Sequence, residues 1–398
     1  MRQWRIGVGG ALLCAATGLS AQTLEEAVEA AWRLTAGATS VSSGVGEAEA
    51  QRDIATQWLV GSPSVTLSQS SDRLGRDEGS LTREIELEAP IWRWGQRASR
   101  HTLAEAGLEA AKAEVLLLRW QVAGEVREAV WTAAFGALDL ETAKRRLEVA
   151  ERIEQEVSRH VAVGDLAKSD LFLVLSEKAA ARVNVADAEQ RAREASQRYA
   201  VLTGLQSWTL PPVRTELRSA PIDRHPAVAS ATAARRRAER ALDDVINRAN
   251  EPPSLIIGAE RDRDRYGAPV NTTLRVGIKV PFGGSNWNQA NMAAANAERS
   301  RAELNDMKAR RAVDSEILVA RTALQVAEST LQVAIDRHQA AEEHASLLRK
   351  GFSLGETGLA FLLRGESLLL DAKAGVARQE LQVRQAQSRF EHSLGIFP

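Results

Sequence analysis

The sequence is poor in the residues that build disulfides and metal sites. Its 398 residues include one cysteine, Cys14, and six histidines. A single thiol cannot form an intrachain disulfide or a thiolate metal cluster. The histidines show no spacing with carboxylates beyond what helix surfaces give by chance, and no nucleophile elbow or phosphate-binding glycine loop occurs. We therefore expect no enzyme, no cofactor and no resident metal.

Neither sign of charge predominates in the sequence, and aromatic side chains are scarce. Fifty-one Lys and Arg residues stand against 52 Asp and Glu residues, and aromatic residues make up 5% of the chain. This balance excludes a strongly basic nucleic-acid-binding protein and an acidic disordered tail. An Ala-rich, charge-rich and aromatic-poor composition is instead typical of long helices.

The first 21 residues are predicted to be an export signal peptide. Arg2 and Arg5 precede an uncharged, mostly apolar stretch over residues 6–19, and Ala21 ends a small-residue cleavage site. This layout is that of a secretory signal, and the stretch is too short for a typical transmembrane helix. No later stretch approaches about 18 uninterrupted apolar residues. A membrane span of the exported chain must therefore be built from strands.

Proline is absent from two long stretches, residues 91–210 and 282–397. Because a proline inside a helix costs about 3 kcal/mol, both stretches are predicted to be helical over most of their length. Each has one clear interruption, at Gly164 in the first stretch and at Gly355 in the second. We expect a helix, a turn at the glycine and a second helix in each.

Landmarks that recur at a fixed offset indicate a tandem duplication. Pro90 and Gly164 reappear as Pro281 and Gly355, in both cases 191 residues later. The chain is therefore divided into the export signal (1–21), a first repeat (22–210) and a second repeat (211–398). Each repeat is expected to contain a helix, two strands, a long helix and a further helix.

Apolar residues in the second long stretch recur at spacings of three and four, which is typical of a coiled-coil seam of about five heptads. The seam positions are Val313, Ile317, Ala320, Leu324, Ala327, Leu331, Ala334, His338, Ala341, Ala345 and Leu348. A rougher line in the first stretch consists of Val126, Val130, Ala133, Ala137, Leu140, Lys144 and Leu147.

Four short segments between the helices have a period of two and are predicted to be strands. They are Ser64–Ser71, Leu81–Ala89, Ser254–Glu260 and Thr272–Val280. About nine alternating residues fit a tilted strand that crosses a bilayer, although they also fit a half-buried strand of a soluble sheet. We favour the membrane interpretation, because the chain is predicted to be exported and offers no aliphatic helical face large enough to cover such a sheet.

The alternation assigns the strand side chains to two faces. The side chains predicted to face lipid are Ile85, Leu87, Ile278 and Val280. Arg83 falls on the same face and is therefore predicted to lie near, or to reach, a membrane–water interface. Five charged residues are predicted to face a barrel lumen: Glu84, Glu86, Glu88, Arg275 and Lys279. Aromatic residues beside the strand ends are predicted to anchor the membrane interface, with plugs between helices as the alternative: Trp58, Trp92, Trp94, Phe282 and Trp287.

Four strands cannot close a barrel, and open strand edges are not tolerated in lipid. A spanning chain must therefore oligomerise, and three copies with four strands each give a 12-stranded pore. The predicted fold class is a mixed α/β membrane protein with two tandem repeats per chain.

Three kinds of segment occur twice and in the same order. They are the strand-to-helix junctions at 88–97 and 280–284, the turns at 163–170 and 354–359, and the helix ends at 202–204 and 393–395. Together they resemble the TolC family of outer membrane efflux channels, over essentially the whole chain after the export signal. The turn at Gly355 is most similar to the heavy-metal efflux branch.

This resemblance implies a homotrimer whose 12-stranded barrel lies in the Gram-negative outer membrane and continues into the periplasm as an α-helical coiled-coil tunnel. The two turns are then expected at the periplasmic tip, where a periplasmic adaptor (membrane fusion protein) and an inner-membrane pump of the RND type or similar would dock. The docking residues implied are Gly164, Asp165, Asp170, Gly355, Glu356 and Leu359.

The expected function is a passive channel for metal cations or small toxic compounds, in contact with outer membrane lipid and without nucleic acid. The same architecture serves protein secretion with a type I inner-membrane partner. A protein of another class, a soluble periplasmic coiled-coil scaffold, is the remaining alternative. The wall of a channel need not bind its cargo, so the residues do not name it.

Overall fold

The computed structural model describes residues 23–75, 77–212, 221–248, 252–282 and 285–397. The predicted export signal lies outside these residues. The described chain is mostly helical and contains one four-stranded sheet. Among its helices, none combines the length and the apolar composition that a membrane span requires.

The helices include two of exceptional length, with 68 residues in α3 and 69 in α6, or about 100 Å each. The helices are α1 (Leu24–Leu34), α2 (Ala36–Thr56), α3 (Gln96–Val163), α4 (Lys168–Thr203), α5 (Pro226–Asn247), α6 (Ser285–Ser353) and α7 (Leu359–Ser393). The first predicted helix is thus two helices, separated at Thr35. Helices and strands follow in a similar order in both halves, and the duplication itself stays a prediction.

The sheet is antiparallel throughout, with the strands in chain order. The strands are β1 (Ser64–Ser71), β2 (Leu81–Pro90), β3 (Ser254–Arg263) and β4 (Asn271–Lys279). β3 continues three residues beyond the predicted end at Glu260, because residues 261–263 pair with residues 81–83 of β2. β1 and β4 form the two edges of the sheet.

The chain forms two units. One comprises residues up to Ala31 together with Val126–Pro212, and the other comprises Trp32–Glu125 together with Val213–Pro398. The sheet lies wholly in the second unit, as do α5, α6 and α7.

In the first unit, α4 packs through small side chains at seven-residue intervals. The buried positions are Val174, Ala181, Ala188 and Ala195, which is the spacing of a coiled-coil seam. A Cβ atom at Gly136 of α3 would lie 3.2 Å from the Cα of Ala192, so the backbones approach closely here. Lys178 Nζ donates to Glu154 Oε2 at 3.0 Å across the same helix pair.

The rougher line predicted in α3 is only partly correct. Val126, Val130 and Ala133 are buried and Leu140 and Leu147 are half-buried, whereas Ala137 and Lys144 are exposed. A straight helix repeats every 3.6 residues, so a line drawn with a period of 3.5 drifts off the buried face. Further along α3, the buried apolar positions are Ala143, Ile153 and Val157.

In the second unit, the seam predicted in α6 is confirmed. All eleven seam positions from Val313 to Leu348 are buried or half-buried, and every other residue of that segment is exposed. Small residues again allow α6 and α7 to approach closely. A Cβ atom at Gly365 of α7 would lie 2.5 Å from Leu348 Cδ1 of α6.

A buried carboxylate joins the helices that leave the sheet. Asp244 of α5 accepts hydrogen bonds from Arg248 Nη2 at 2.6 Å and from Arg100 Nη1 of α3 at 3.3 Å. Its side chain is almost wholly buried, and two guanidinium groups compensate the charge that burial would otherwise destabilise. The start of α3 is therefore fixed against the end of α5.

A stack of three rings fixes the other end of α5. The ring of Trp120 lies parallel to His392 at 4.2 Å and edge-on to His225 at 4.8 Å. Trp120 Nε1 also donates to the His392 carbonyl oxygen at 3.1 Å. Buried His225 is the N-cap of α5, and its Nδ1 accepts from the Ala227 N–H. The stack connects α3, α5 and α7.

Burial lowers the pKa of His225 below its ordinary value of 6.5, so protonation favours the unfolded chain. The stabilisation is complete above pH 6.5 and is lost as the pH falls from there towards the folded-state pKa. We expect the thermal unfolding midpoint to fall less between pH 7 and pH 5 in His225→Asn than in the wild type. Asparagine retains an N-cap acceptor and removes the titration. Equal falls in both proteins would contradict this role.

Candidate functional site

The two faces of the sheet differ sharply in chemistry. In an antiparallel sheet, residues directly opposite each other share a face. The pairing places all five residues predicted for the lumen on one face, together with the threonine and three of the four serines of β1 and with Glu260 and Asp262 of β3. This polar face carries the strand positions Ser64, Thr66, Ser68, Ser70, Thr82, Glu84, Glu86, Glu88, Glu260, Asp262, Asn271, Thr273, Arg275 and Lys279.

Ion pairs cross the polar face from strand to strand. Arg275 donates to Glu84 at 2.9 Å through Nη1 and to Glu260 at 2.8 Å through Nη2. Lys279 Nζ lies 3.5 Å from Glu88 Oε1. Glu86 forms no ion pair with any described residue. Two cations thus neutralise part of a face that carries five carboxylates per chain.

The opposite face is aliphatic and exposed. Its central positions are Val65, Leu67, Ile85, Leu87, Ile257, Leu274, Val276 and Ile278, and each of these side chains is at least two-fifths accessible. No aspartate or glutamate occupies a strand position on this face. Such a large apolar surface indicates contact with a partner or with a non-aqueous environment.

Four of the five predicted interface aromatics follow or precede the strands at one end of the sheet, the end from which the helices leave. Trp58, Trp94 and Phe282 are almost fully exposed. Trp92 is half-buried, and its Nε1 donates to the carbonyl oxygen of Gln57 after α2 at 2.9 Å. Trp92 therefore also caps a helix end. Trp287 lies in the first turn of α6.

Sequence reasoning missed charged residues at the other end of the sheet. Glu260 ends the predicted third strand, and Arg261, Asp262 and Arg263 lie beyond that predicted end. Continued alternation would have assigned Asp262 to the polar face and the two arginines to the aliphatic face. The alternation is hard to recognise in the sequence, because a run of consecutive charged residues is also typical of a loop.

The first predicted docking turn follows α3 in the first unit. Gly164 has a φ of 88°, a left-handed conformation that strains other residues by about 1–2 kcal/mol. The exposed Asp165 carboxylate lies 3.4 Å from His160 Nδ1. Asp170 Oδ2 accepts from the Ala167 N–H at the start of α4. Asp170 therefore has a helix-capping role of its own.

The second predicted docking turn follows α6 in the second unit. Gly355 has a φ of 76°, and the Glu356 N–H donates to the Gly351 carbonyl oxygen at 2.8 Å. Both residues are exposed. The two turns thus have the same construction, a left-handed glycine followed by an acidic residue.

Leu359 does not have the exposure that a docking residue requires. It is 5% exposed at the start of α7, whereas its neighbour Phe361 is 65% exposed. This burial does not favour a docking role for Leu359, and that role stays a prediction. Side chains at the first turn of α7 alternate between packing in the hairpin and facing solvent, which the turn pattern alone does not reveal.

An ion pair behind this turn ties α6 to α7. The Arg349 guanidinium donates to both carboxylate oxygens of Glu366, a bidentate geometry that is stronger than a single contact. These hydrogen bonds raise the pKa of Arg349 above its ordinary value. A Cβ atom at Gly351 would clash with Thr357 Oγ1, so the turn folds tightly onto the end of α6.

The polar face does not form a metal centre. Among the described residues, no group of three or more His, Cys, Asp or Glu side chains is placed to hold a metal ion. The carboxylates are spread along the strands and are partly engaged by Arg275 and Lys279. The polar face is therefore a charged surface whose carboxylates are spread over β2 and β3.

Comparison with known proteins identifies the fold. No protein-family model matches the chain. It is 23% identical over 333 residues to the cobalt-zinc-cadmium resistance protein CzcC of Cupriavidus metallidurans, covering 80% of this chain and 78% of that protein. The outer membrane protein VceC of Vibrio cholerae matches with a TM-score of 0.74 at 15% identity, covering 94% of this chain and 96% of VceC. The CmeC outer membrane channel of Campylobacter jejuni matches with a TM-score of 0.72 at 14% identity, covering 99% and 93%.

The fold is that of the outer membrane channels. The resemblance inferred from the junctions and turns, including the heavy-metal branch, is confirmed. Two exposed features of this fold are candidates for a function, namely the sheet and the two turns that follow α3 and α6.

The different burial of Leu359 and Phe361 predicts different effects of the same substitution. Leu359→Asn places an amide in the packed hairpin, and we expect a loss of about 3 kcal/mol in the free energy of unfolding. Phe361→Asn, the matched control, should change it by no more than about 0.5 kcal/mol. Thermal unfolding and protease cleavage at the Gly355 turn report both effects. Similar behaviour of the two variants would contradict the assigned packing role.

Proposed function

We propose that the protein is the outer membrane channel of a tripartite efflux system and conducts its cargo passively to the exterior. The observation that carries the proposal is the two-faced sheet with its two open edges. An exposed aliphatic face argues against the alternative of a soluble scaffold, since water does not solvate such a surface favourably.

The proposed assembly is a homotrimer. The outer edges of β1 and β4 have no strand partner within the described chain. Pairing β1 of one copy with β4 of the next satisfies both rows of backbone groups and closes a 12-stranded barrel. The aliphatic face then contacts lipid, and the polar face lines the lumen.

The proposed lumen favours cations. Five carboxylates and two cations on each polar face give fifteen carboxylates and six cations in three copies. Glu86 has no cationic partner among the described residues, so its charge acts fully on a passing ion. Mobile ions screen these charges beyond about 8 Å at physiological ionic strength, so the preference is moderate.

Metal cations are the cargo that we propose. The similarity to a cobalt-zinc-cadmium resistance protein supports this cargo, and so does the excess of carboxylates on the polar face. A channel must release the ions that it conducts. The ion pairs of Arg275 and Lys279 with the carboxylates favour release, because they keep these carboxylates from binding one ion together.

A periplasmic adaptor and an inner-membrane pump complete the proposed system and supply the energy. We assign adaptor docking to the two turns, because exposed loops on a packed scaffold commonly carry recognition. Asp165 and Glu356 are exposed there, and Phe172 and Phe361 are exposed on the first turns of α4 and α7. This placement replaces Leu359 by Phe361.

Two adjacent residues of β2 test the proposal. Glu86→Lys should leave trimer insertion intact and shift the reversal potential of single channels towards anions. Ile85→Lys should reduce the yield of inserted trimer at least tenfold, because a lysine that faces lipid near the bilayer centre costs about 2–4 kcal/mol. Planar-bilayer recordings and the yield of detergent-extracted trimer measure both. If Glu86→Lys blocks insertion and Ile85→Lys does not, the lumen lies on the other face.

A further inference from the structure

Two arginines face each other on the aliphatic face of the sheet. Arg83 of β2 pairs directly with Arg261 of β3, and like charges in this position destabilise a sheet. Both side chains are exposed. Arg83 Nε donates to the neutral Gln69 Oε1 at 3.0 Å, and neither arginine forms an ion pair with any described residue.

The carboxylates near these arginines are engaged elsewhere. Glu84 and Glu260 stand beside them in sequence but lie on the polar face, where both bind Arg275. Asp262 shares that face and lies 3.5 Å from Asn271 Nδ2. Two guanidinium groups therefore face outward, and no anion among the described residues neutralises them.

The arginine pair lies at a defined height on the sheet. Trp92 and Phe282 mark the end from which the helices leave, and Arg83 is nine residues from Trp92 along the chain. Nine residues of a strand tilted by about 40° rise about 23 Å. This rise is close to the apolar band of about 25 Å on outer membrane barrels, so the arginines reach the opposite interface.

A third arginine strengthens the positive charge at this end. Arg263 lies opposite Leu81 on the same face, next to the loops. Its Nε donates to the Gly79 carbonyl oxygen at 3.1 Å, and its guanidinium carbon lies 5.4 Å from the centre of the Tyr266 ring. Arg263 is thus held by the loops, while Arg83 and Arg261 remain available to a ligand.

We propose that Arg83 and Arg261 form a binding site for the phosphate headgroup of a lipid in the outer leaflet. The inference rests on the proposed function, since it requires the aliphatic face to contact lipid. Guanidinium groups bind phosphate oxygens in a bidentate manner, and a phosphate between the two removes their mutual repulsion. A lipid at this position places its acyl chains along the aliphatic side chains below.

The test uses the full chain as a trimer in nonionic detergent, with phosphatidic acid as the probe and native mass spectrometry as the readout. The variant is the double substitution Arg83→Gln and Arg261→Gln. The matched control is Arg73→Gln and Arg265→Gln, which removes the same charge from exposed loop residues at the same end of the sheet. Phosphatidylcholine and inorganic phosphate are the comparison ligands.

We expect the wild type to bind phosphatidic acid at least tenfold more tightly than phosphatidylcholine. Each arginine near an anionic lipid contributes about fivefold in affinity, so the double variant should bind about 25-fold more weakly, and the control less than threefold more weakly. Equal losses in both doubles, or no loss in either, would overturn the site. If inorganic phosphate displaces the lipid at equal concentration, the site binds free phosphate and the lipid assignment fails.

The oligomeric state of the same samples separates this inference from the proposed function. If the wild type is a trimer that requires detergent but has no preference for phosphatidic acid, only the headgroup site is wrong. A water-soluble monomer would overturn the proposed channel and the headgroup site together.

Discussion

The open edges of the four-stranded sheet are the constraint on which the rest of the structure depends. β1 and β4 each present a row of backbone groups without a strand partner in the described chain. One face of the same sheet is aliphatic and exposed, and the other carries five carboxylates and two cations. In the proposed trimer, closure by further copies satisfies the edges, separates the two faces and produces a charged lumen. Under this proposal, pore formation is a consequence of the number of strands and of the side-chain alternation along them.

The helices extend this arrangement by close packing of small residues. Gly136 lies against Ala192 in the first unit, and Gly365 lies against Leu348 in the second. Alanine and glycine at these contacts allow each of the two longest helices to pack closely against the shorter helix that follows it. Each hairpin ends at a left-handed glycine, which reverses the chain within a few residues and leaves acidic side chains exposed.

The fold was largely predictable because its patterns are continuous. The eleven seam positions of α6 were recovered because one heptad repeat persists from Val313 to Leu348. The seam of α3 drifted because its buried stripe does not keep that period. The sequence prediction of β3 ends too early because residues 261–263 are all charged, and their pairing with β2 and β4 leaves no apolar alternation in the sequence. The burial of Leu359 was not predictable because burial at the start of a helix depends on the helix that faces it. Periodicity predicts elements and faces, whereas contacts between distant segments decide where an element ends and which side chain is free.

Cross-linking of the two sheet edges between copies tests the central claim most directly. In a Cys14→Ser background, Ser68→Cys of β1 is combined with Thr273→Cys or Gly277→Cys of β4 on the same face, and with Leu274→Cys on the opposite face as a control. Within one chain these edges are three strand spacings apart, about 14 Å, too far for a disulfide. The account predicts covalent dimers and trimers, and no larger species, for at least one same-face pair, with none for the control. A protein that stays monomeric on oxidation with every pair, or that forms ladders beyond three copies, would contradict closure of the sheet by three chains.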